Sequence, residues 1–149
     1  MGDTAATPVP ETDPGPALRR LPRRAVAGVL AVEAIAVLLV IAAGFTAPAP
    51  EHAGYALLLV ALSVVHTELA TGIERVRRRI GATSYFDLSS VWTFAAAMLL
   101  PPLPAALVIV VVYAHLWKRV WRPARVPLYR HVYTTATVVL AALAAQAVV

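Results

Sequence analysis

The sequence predicts an all-α fold, a polytopic transmembrane helical bundle of about five spans that includes a short Pro-broken hairpin. Three observations lead there. Hydrophobic residues make up 60% of the 149 and charged residues only 14%, where a soluble domain carries roughly a quarter charged. Mean hydropathy is +0.73. All thirteen Lys and Arg fall into three clusters separated by apolar runs: Arg19 to Arg24, Arg75 to Arg79, and Lys118 to Arg130. Cysteine is absent, which excludes disulfides, thiolate metal sites and cysteine nucleophiles.

Residues 1–24 are rich in Pro, Thr, Ala and acids and end in arginines. They predict a disordered, basic-ended cytoplasmic tail; residues 25–149 form the transmembrane domain. Short translocated loops are depleted of Lys and Arg, so all three basic clusters belong on the cytoplasmic side and the crossings between them come in pairs. Ala25 to Phe45 and Tyr55 to Ile73 supply the first pair, each near the roughly 20 residues a span needs. Their link, Thr46 to Gly54, has no Lys or Arg and reads as an extracytoplasmic turn. The first run is too long for a signal-peptide core and is read as a retained anchor helix.

The next apolar run is interrupted by Pro101, Pro102 and Pro104. Proline removes a backbone donor and clashes with the preceding turn. The run is therefore read as two helices, about Ser89 to Leu100 and Pro104 to Val120, meeting at an outward-facing Pro-Pro-Leu-Pro turn. The first arm is short for a span, and the hairpin is either full or re-entrant. His131 to Val149 is a further span. It closes on LAALAAQAVV with no polar tail, which predicts a chain cut short at its C-terminus.

Ionisable residues inside a span cost roughly 2.5–3.5 kcal/mol even on lenient scales, and mark candidate sites. Glu33 lies about 12 Å above the cytoplasmic edge, and His66 and Glu68 about 10 and 8 Å above it, at 1.5 Å per residue. Similar depth on antiparallel neighbours predicts a Glu33–His66 hydrogen bond, with Glu68 reaching the interface or Arg75. His66 and Glu68 sit two apart, about 200° around a helix, so they do not share a metal. Asp87, Ser89 and Ser90 are placed to cap a helix beginning near Val91. A helix start at membrane depth also offers N–H groups to an anionic ligand, making Ser89 and Ser90 small-ligand candidates. His115, Trp117, Lys118, Arg119 and Trp121, and likewise Tyr129 to Tyr133, read as interfacial belts of aromatic rings and snorkelling cations.

There is no P-loop, dinucleotide fingerprint, His-x-x-x-His pair or nucleophile elbow in the sequence, so no enzyme, catalytic residue, cofactor or metal site is expected. The net charge of +5 sits in short clusters beside the spans. Its expected partner is the bilayer, through anionic lipid headgroups, and not nucleic acid.

Phe86-Asp-Leu-Ser-Ser-Val-Trp-Thr-Phe through Pro101-Pro-Leu-Pro104 to Trp117, followed by Val126-Pro-Leu-Tyr-Arg-His-Val-Tyr-Thr-Thr-Ala-Thr137, resembles the N-terminal multi-span membrane input region of actinobacterial GGDEF and HD-GYP cyclic-di-GMP signalling proteins. The resemblance implies a sensory or regulatory module feeding a fused or associated cytoplasmic signalling enzyme, and none of these 149 residues forms such a domain. The hairpin is also similar to membrane subunits that bind substrate in vitamin transporters, so small-molecule transport is the alternative function. A third reading is a structural subunit of a membrane complex, with Ala27, Ala31 and Ala34 packing on a membrane-protein partner.

The cysteine-free background makes topology directly measurable. Single cysteines replacing Glu51 and Leu103 should react with an impermeant thiol reagent from outside, and those replacing Arg78 and Arg125 from inside. Labelling of position 103 from the cytoplasm would overturn the hairpin.

Overall fold

The computed structural model describes residues 21–45, 49–77 and 89–148. Helices form 88% of it and no strand occurs among the described residues. The helices are α1 (Arg23–Ala43), α2 (Pro50–Arg77), α3 (Ser89–Leu99), α4 (Pro102–Leu116) continuing through a π-helical stretch (Trp117–Trp121), and α5 (Leu128–Val148). Four are long and apolar enough to cross a membrane: α1, α2, α4 with its π extension, and α5. Eleven-residue α3 rises only about 16 Å, half of a hydrocarbon core of about 30 Å.

Helix boundaries depart from the sequence expectation where prolines are involved. Helix α2 begins at Pro50 rather than Tyr55, because proline is well suited to the first position of a helix, where its missing N–H would have no acceptor anyway. The link between α1 and α2 is correspondingly shorter. Helix α4 starts at Pro102 and takes Pro104 into its first turn, so the expected Pro-Pro-Leu-Pro turn contracts to Leu100 and Pro101. Helix α5 likewise starts three residues early, at Leu128 directly after Pro127.

Those prolines leave an accounting problem. In an α-helix the carbonyl of residue i accepts from the N–H of residue i+4. The carbonyls of Ala97, Met98 and Leu100 look forward to residues 101, 102 and 104, each a proline without an N–H. Gln146, one turn from the end of α5, supplies part of the deficit: its Nε2 donates to Ala97 O at 2.8 Å and to Leu100 O at 2.6 Å. The same prolines help α4, since two of its four leading residues carry no N–H needing an acceptor, and Ala105 N closes the first full turn on Pro101 O at 3.0 Å.

Helix α4 is the central element. It packs against α2, α3 and α5, and more lightly against α1. Ala105, Val108, Ile109, Val112, Tyr113 and Leu116 are buried along one broad face, with spacings of three and four that repeat every turn. Opposite them lie Leu59 of α2, Ala96 of α3, Leu100 of the turn that follows it, and Val139 and Ala142 of α5. Ser63 and Thr67 extend the buried stripe of α2 at intervals of four from Leu59. Small residues at these contacts let backbones approach closely, which is the packing mode available where lipid removes the hydrophobic drive between helices.

The chain turns from α4 into α5 through a Schellman-type close. Val126 N donates to Trp121 O at 3.0 Å and Arg125 N to Arg122 O at 3.1 Å, around Arg125 at φ 56°. That left-handed position normally belongs to glycine.

Helix α1 is the least buried of the four long helices. Ala36 is its one buried residue, and Leu30, Ile35, Val37, Leu38 and Ile41 are all at least half exposed. It docks on α5 and lightly on α4, leaving most of its apolar girth for lipid.

Replacing Gln146 by Leu removes the amide donor shared by two inward-facing carbonyls. Each orphaned acceptor costs about 1–3 kcal/mol, so the variant in detergent micelles should unfold at clearly lower temperature or denaturant than the parent, while Gln146→Asn recovers little because its reach is one methylene shorter. Unchanged stability of the Leu variant would show that other donors serve those carbonyls.

Candidate functional site

Two polar clusters lie on opposite flanks of α4. The first joins α2, α3 and α4 at the end of the bundle that carries the basic residues. Arg119, in the π-helical stretch, meets the Glu68 carboxylate with its guanidinium fork: Nε donates to Oε1 at 2.6 Å and the terminal Nη2 donates to Oε2. Two parallel charge-assisted bonds of this kind fix direction as well as distance. His115 Nε2, one turn earlier on α4, lies 3.3 Å from the same Oε1. Glu68 is thus held by two residues of α4; the side chain of Arg75, the alternative that helix spacing offered, lies outside the described residues. Surface exposure of about two fifths on both sides places this tie at the bundle's rim.

His66 serves a different helix. Its Nδ1 accepts from Trp92 Nε1 of α3 at 3.3 Å, and the two rings lie 5.9 Å apart between centroids. The angular offset of two residues on a helix explains the division, with Glu68 turned to α4 and His66 to α3. Together they link α2 to both arms of the hairpin. The bond also fixes where α3 begins. Trp92, in its first turn, meets a residue eleven before Arg77, so α3 starts roughly 12–16 Å inward from that end of α2.

The expected Glu33–His66 hydrogen bond does not form. Equal depth is not adjacency: α1 packs on α5 and α4, which puts Glu33 on the far flank from His66. The capping candidates also resolve differently. Helix α3 begins at Ser89, so Ser90 lies inside its first turn instead of capping it, and its carbonyl accepts from Thr93 Oγ1 at 3.0 Å. Ser89 is described through its backbone alone, and Asp87 and Arg75 lie beyond what the structure settles.

The second cluster borders an apolar cavity of about 390 Å³ that lies between α1, α4 and α5 and is open to the outside of the bundle. Such a volume falls within the 300–1,000 Å³ typical of small-molecule sites. Its wall is aliphatic, with Val37, Val40 and Ile41 from α1, Val110 from α4, and Val132 and Val139 from α5. The polar groups in it are Glu33, His131 and Thr135. Thr135 spends its hydroxyl on His131 O at 2.9 Å. Glu33 has no hydrogen-bond or ion-pair partner among the described residues.

His131 is buried, 8% exposed, and not part of an interfacial belt as its flanking aromatics suggested. Tyr113, Trp117 and Trp121 of α4 gather around it with ring centroids 6.2, 6.1 and 5.0 Å away. They recur every four residues, so α4 presents them as one strip. Its Nδ1 is buried without a hydrogen-bond partner among the described residues. Arg122 caps the strip, its guanidinium carbon 5.7 Å from the Trp117 ring centre, an arrangement that favours a cation over the indole face.

Sequence reasoning singled out Glu33, His66 and Glu68 and missed Arg119, His131 and Gln146. The signal for Gln146 was present, as the single amide in an apolar helix together with three prolines that delete donors four residues on. For Arg119 and His131 the interfacial reading was sufficient by sequence, and only helix pairing distinguishes them. No group of three or more His, Asp or Glu suited to a metal occurs among the described residues.

The α2–α4 tie makes a reciprocal test possible. Glu68→Gln and Arg119→Gln should each lower the unfolding midpoint, and the exchange Glu68→Arg with Arg119→Glu should recover most of the loss. An exchange no better than either single variant would show that the pair adds nothing to α2–α4 packing.

Compared with protein-family models, curated proteins and solved structures, the chain matches none. The likeness of residues 86–137 to cyclic-di-GMP input regions therefore stands on those residues alone.

Proposed function

We propose that this chain is a non-catalytic membrane sensory or regulatory module, in which occupancy of the cavity between α1 and the α4–α5 pair sets the position of α1. The observation that carries the reading is the contrast across that cavity. On one side α2, α3, α4 and α5 are joined by buried packing and by the Glu68–Arg119, His66–Trp92 and Gln146 bonds. On the other, α1 buries one residue. A ligand that fills space between a fixed body and a lightly held helix has differential affinity for two positions of that helix, which is what a population shift requires.

The arginines at the start of α1 support a cytoplasmic N-terminus in a multi-pass cell-membrane protein, so displacement of α1 reaches the side where a signalling enzyme works. The resemblance of residues 86–137 supports a cyclic-di-GMP enzyme, fused or associated, as the recipient. The second reading, a membrane subunit for small-molecule transport, draws on the same cavity. A smaller pocket of about 280 Å³ lies against the hairpin itself, lined by Ala97, Met98, Leu100, Pro101 and Pro102 with Gln146 of α5; the larger cavity is the one that carries a carboxylate and an imidazole.

Ala136, on the cavity wall, offers a direct test. Ala136→Phe fills part of the space and should shift α1 outward. Spin labels on cysteines at exposed Ala31 and Ala124 should report a distance change of a few Å. A control pair at exposed Leu57 and Leu107, across α2 and α4, should keep its distance. In cells, the same substitution should alter the cyclic-di-GMP level set by the associated enzyme. An α1 distance distribution identical to the parent's would refute the reading.

A further inference from the structure

We infer that the α1–α4–α5 cavity binds a monovalent lipophilic cation, an apolar body with one positively charged head, and that Glu33 is its counter-charge. The inference rests on the cavity proposed above as the regulatory site and names the chemistry of its occupant.

The volume of about 390 Å³ admits a compact organic molecule, and the aliphatic wall excludes a sugar, nucleotide or amino acid, whose polar groups would lose water without replacement. Within that wall stands one carboxylate. No Lys or Arg lines the cavity, and Glu33 forms no ion pair with any described residue. A carboxylate at this depth carries a large desolvation cost that an opposite charge at close range offsets. An anionic ligand would meet repulsion from Glu33. A neutral apolar ligand would leave its charge uncompensated. A cation with an apolar body satisfies both the wall and the carboxylate.

His131 is the second, independent observation. It lines the same cavity, is more than nine-tenths buried, and keeps Nδ1 without a partner. An unprotonated imidazole nitrogen accepts a hydrogen bond from an ammonium N–H and gains nothing from a ligand lacking donors. The three aromatic rings of α4 hold the imidazole in place from its other side. The site therefore combines a charge from α1 with an acceptor from α5, so that a bound cation bridges the loosely held helix to the fixed body. Bridging of this sort is how a ligand would pull α1 inward, opposite in sense to the steric push of Ala136→Phe.

The test uses the full chain in phosphatidylcholine nanodiscs with radiolabelled 1-adamantylammonium, a compact apolar cation whose ammonium head carries N–H donors, as probe. Saturable binding at one site per protein is expected. Glu33→Gln should weaken it tenfold or more, Glu33→Asp should weaken it less, and Ala136→Phe should block it by occupying the wall. Glu68→Gln, on the opposite flank of α4, should leave it unchanged. Glu33 makes no hydrogen bond or ion pair with the described residues, so the Gln variant is expected to elute and unfold like the parent, which a thermal scan verifies. Binding that does not saturate, or that Glu33→Gln leaves intact, would overturn the inference. The α1 spin-label distance separates this outcome from the regulatory reading. If Ala136→Phe moves α1 but the probe does not bind, the ligand class is wrong and the module stands. If the probe binds through Glu33 while α1 stays in place, the cation site stands and the module falls.

Discussion

The bond from the Gln146 amide to the carbonyls of Ala97 and Leu100 is the interaction on which the hairpin depends. Bilayer hydrocarbon offers no water to a free carbonyl, so each backbone group must find its partner within the protein. Three prolines within four residues withdraw the partners of three carbonyls at once. Without an outside donor, α3 would have to fray where it turns into α4. A primary amide carries two N–H groups on one nitrogen, so a single side chain can serve two carbonyls of the same helix end. This ties the close of the last helix to the turn of the hairpin, across nearly fifty residues of sequence, and it brings α5 alongside both arms.

Once α5 is fixed there, α4 becomes the common wall of the bundle. Its inner face is filled by Val108, Ile109, Val112 and Leu116, all 2% exposed or less. Its two flanks are left to different neighbours. On one, Arg119 and His115 close on α2; on the other, Tyr113, Trp117 and Trp121 close on His131 of α5. The π-helical stretch bears on both. A wider turn, closed by Arg122 N on Trp117 O at 2.7 Å, changes the angular step between successive side chains at the point where α4 must address two helices. Irregular turns of this kind persist where side-chain placement repays the poorer backbone geometry.

Much of this architecture was legible in the sequence. Apolar length, the three basic clusters and the proline triplet placed five helices and the hairpin within a few residues of their positions, because each is a local property of the chain. Helix pairing was not legible. Glu33 and His66 share a depth, and the simplest bundle would place consecutive helices side by side. The side of the core on which α1 docks is decided by surface complementarity summed over α4 and α5, which no periodicity encodes. Glu68 shows the same limit: helix spacing offered Arg75, whereas the fold brings Arg119 to it from fifty-one residues away. Residues whose partners come from their own helix can be read from spacing; residues whose partners come across the bundle cannot.

That distinction also explains why the candidate site sits where the fold is weakest. Helices α2 through α5 are joined by a shared buried core and by the Glu68–Arg119, His66–Trp92 and Gln146 bonds that cross between them. Helix α1 is held by a narrow stripe about Ala36, with a cavity beside it and a carboxylate facing that cavity. Glu33, partly exposed beside that cavity, makes no hydrogen bond or ion pair with the described residues, so no polar bond of its own ties α1 to α4 or α5. A ligand then needs only modest binding energy to shift the balance, since differential affinity of about 1.4 kcal/mol changes the population ratio tenfold. On the reading proposed above, one placement of the unpaired carboxylate would serve both purposes, favouring a cationic occupant and leaving α1 without a polar tie until that occupant arrives.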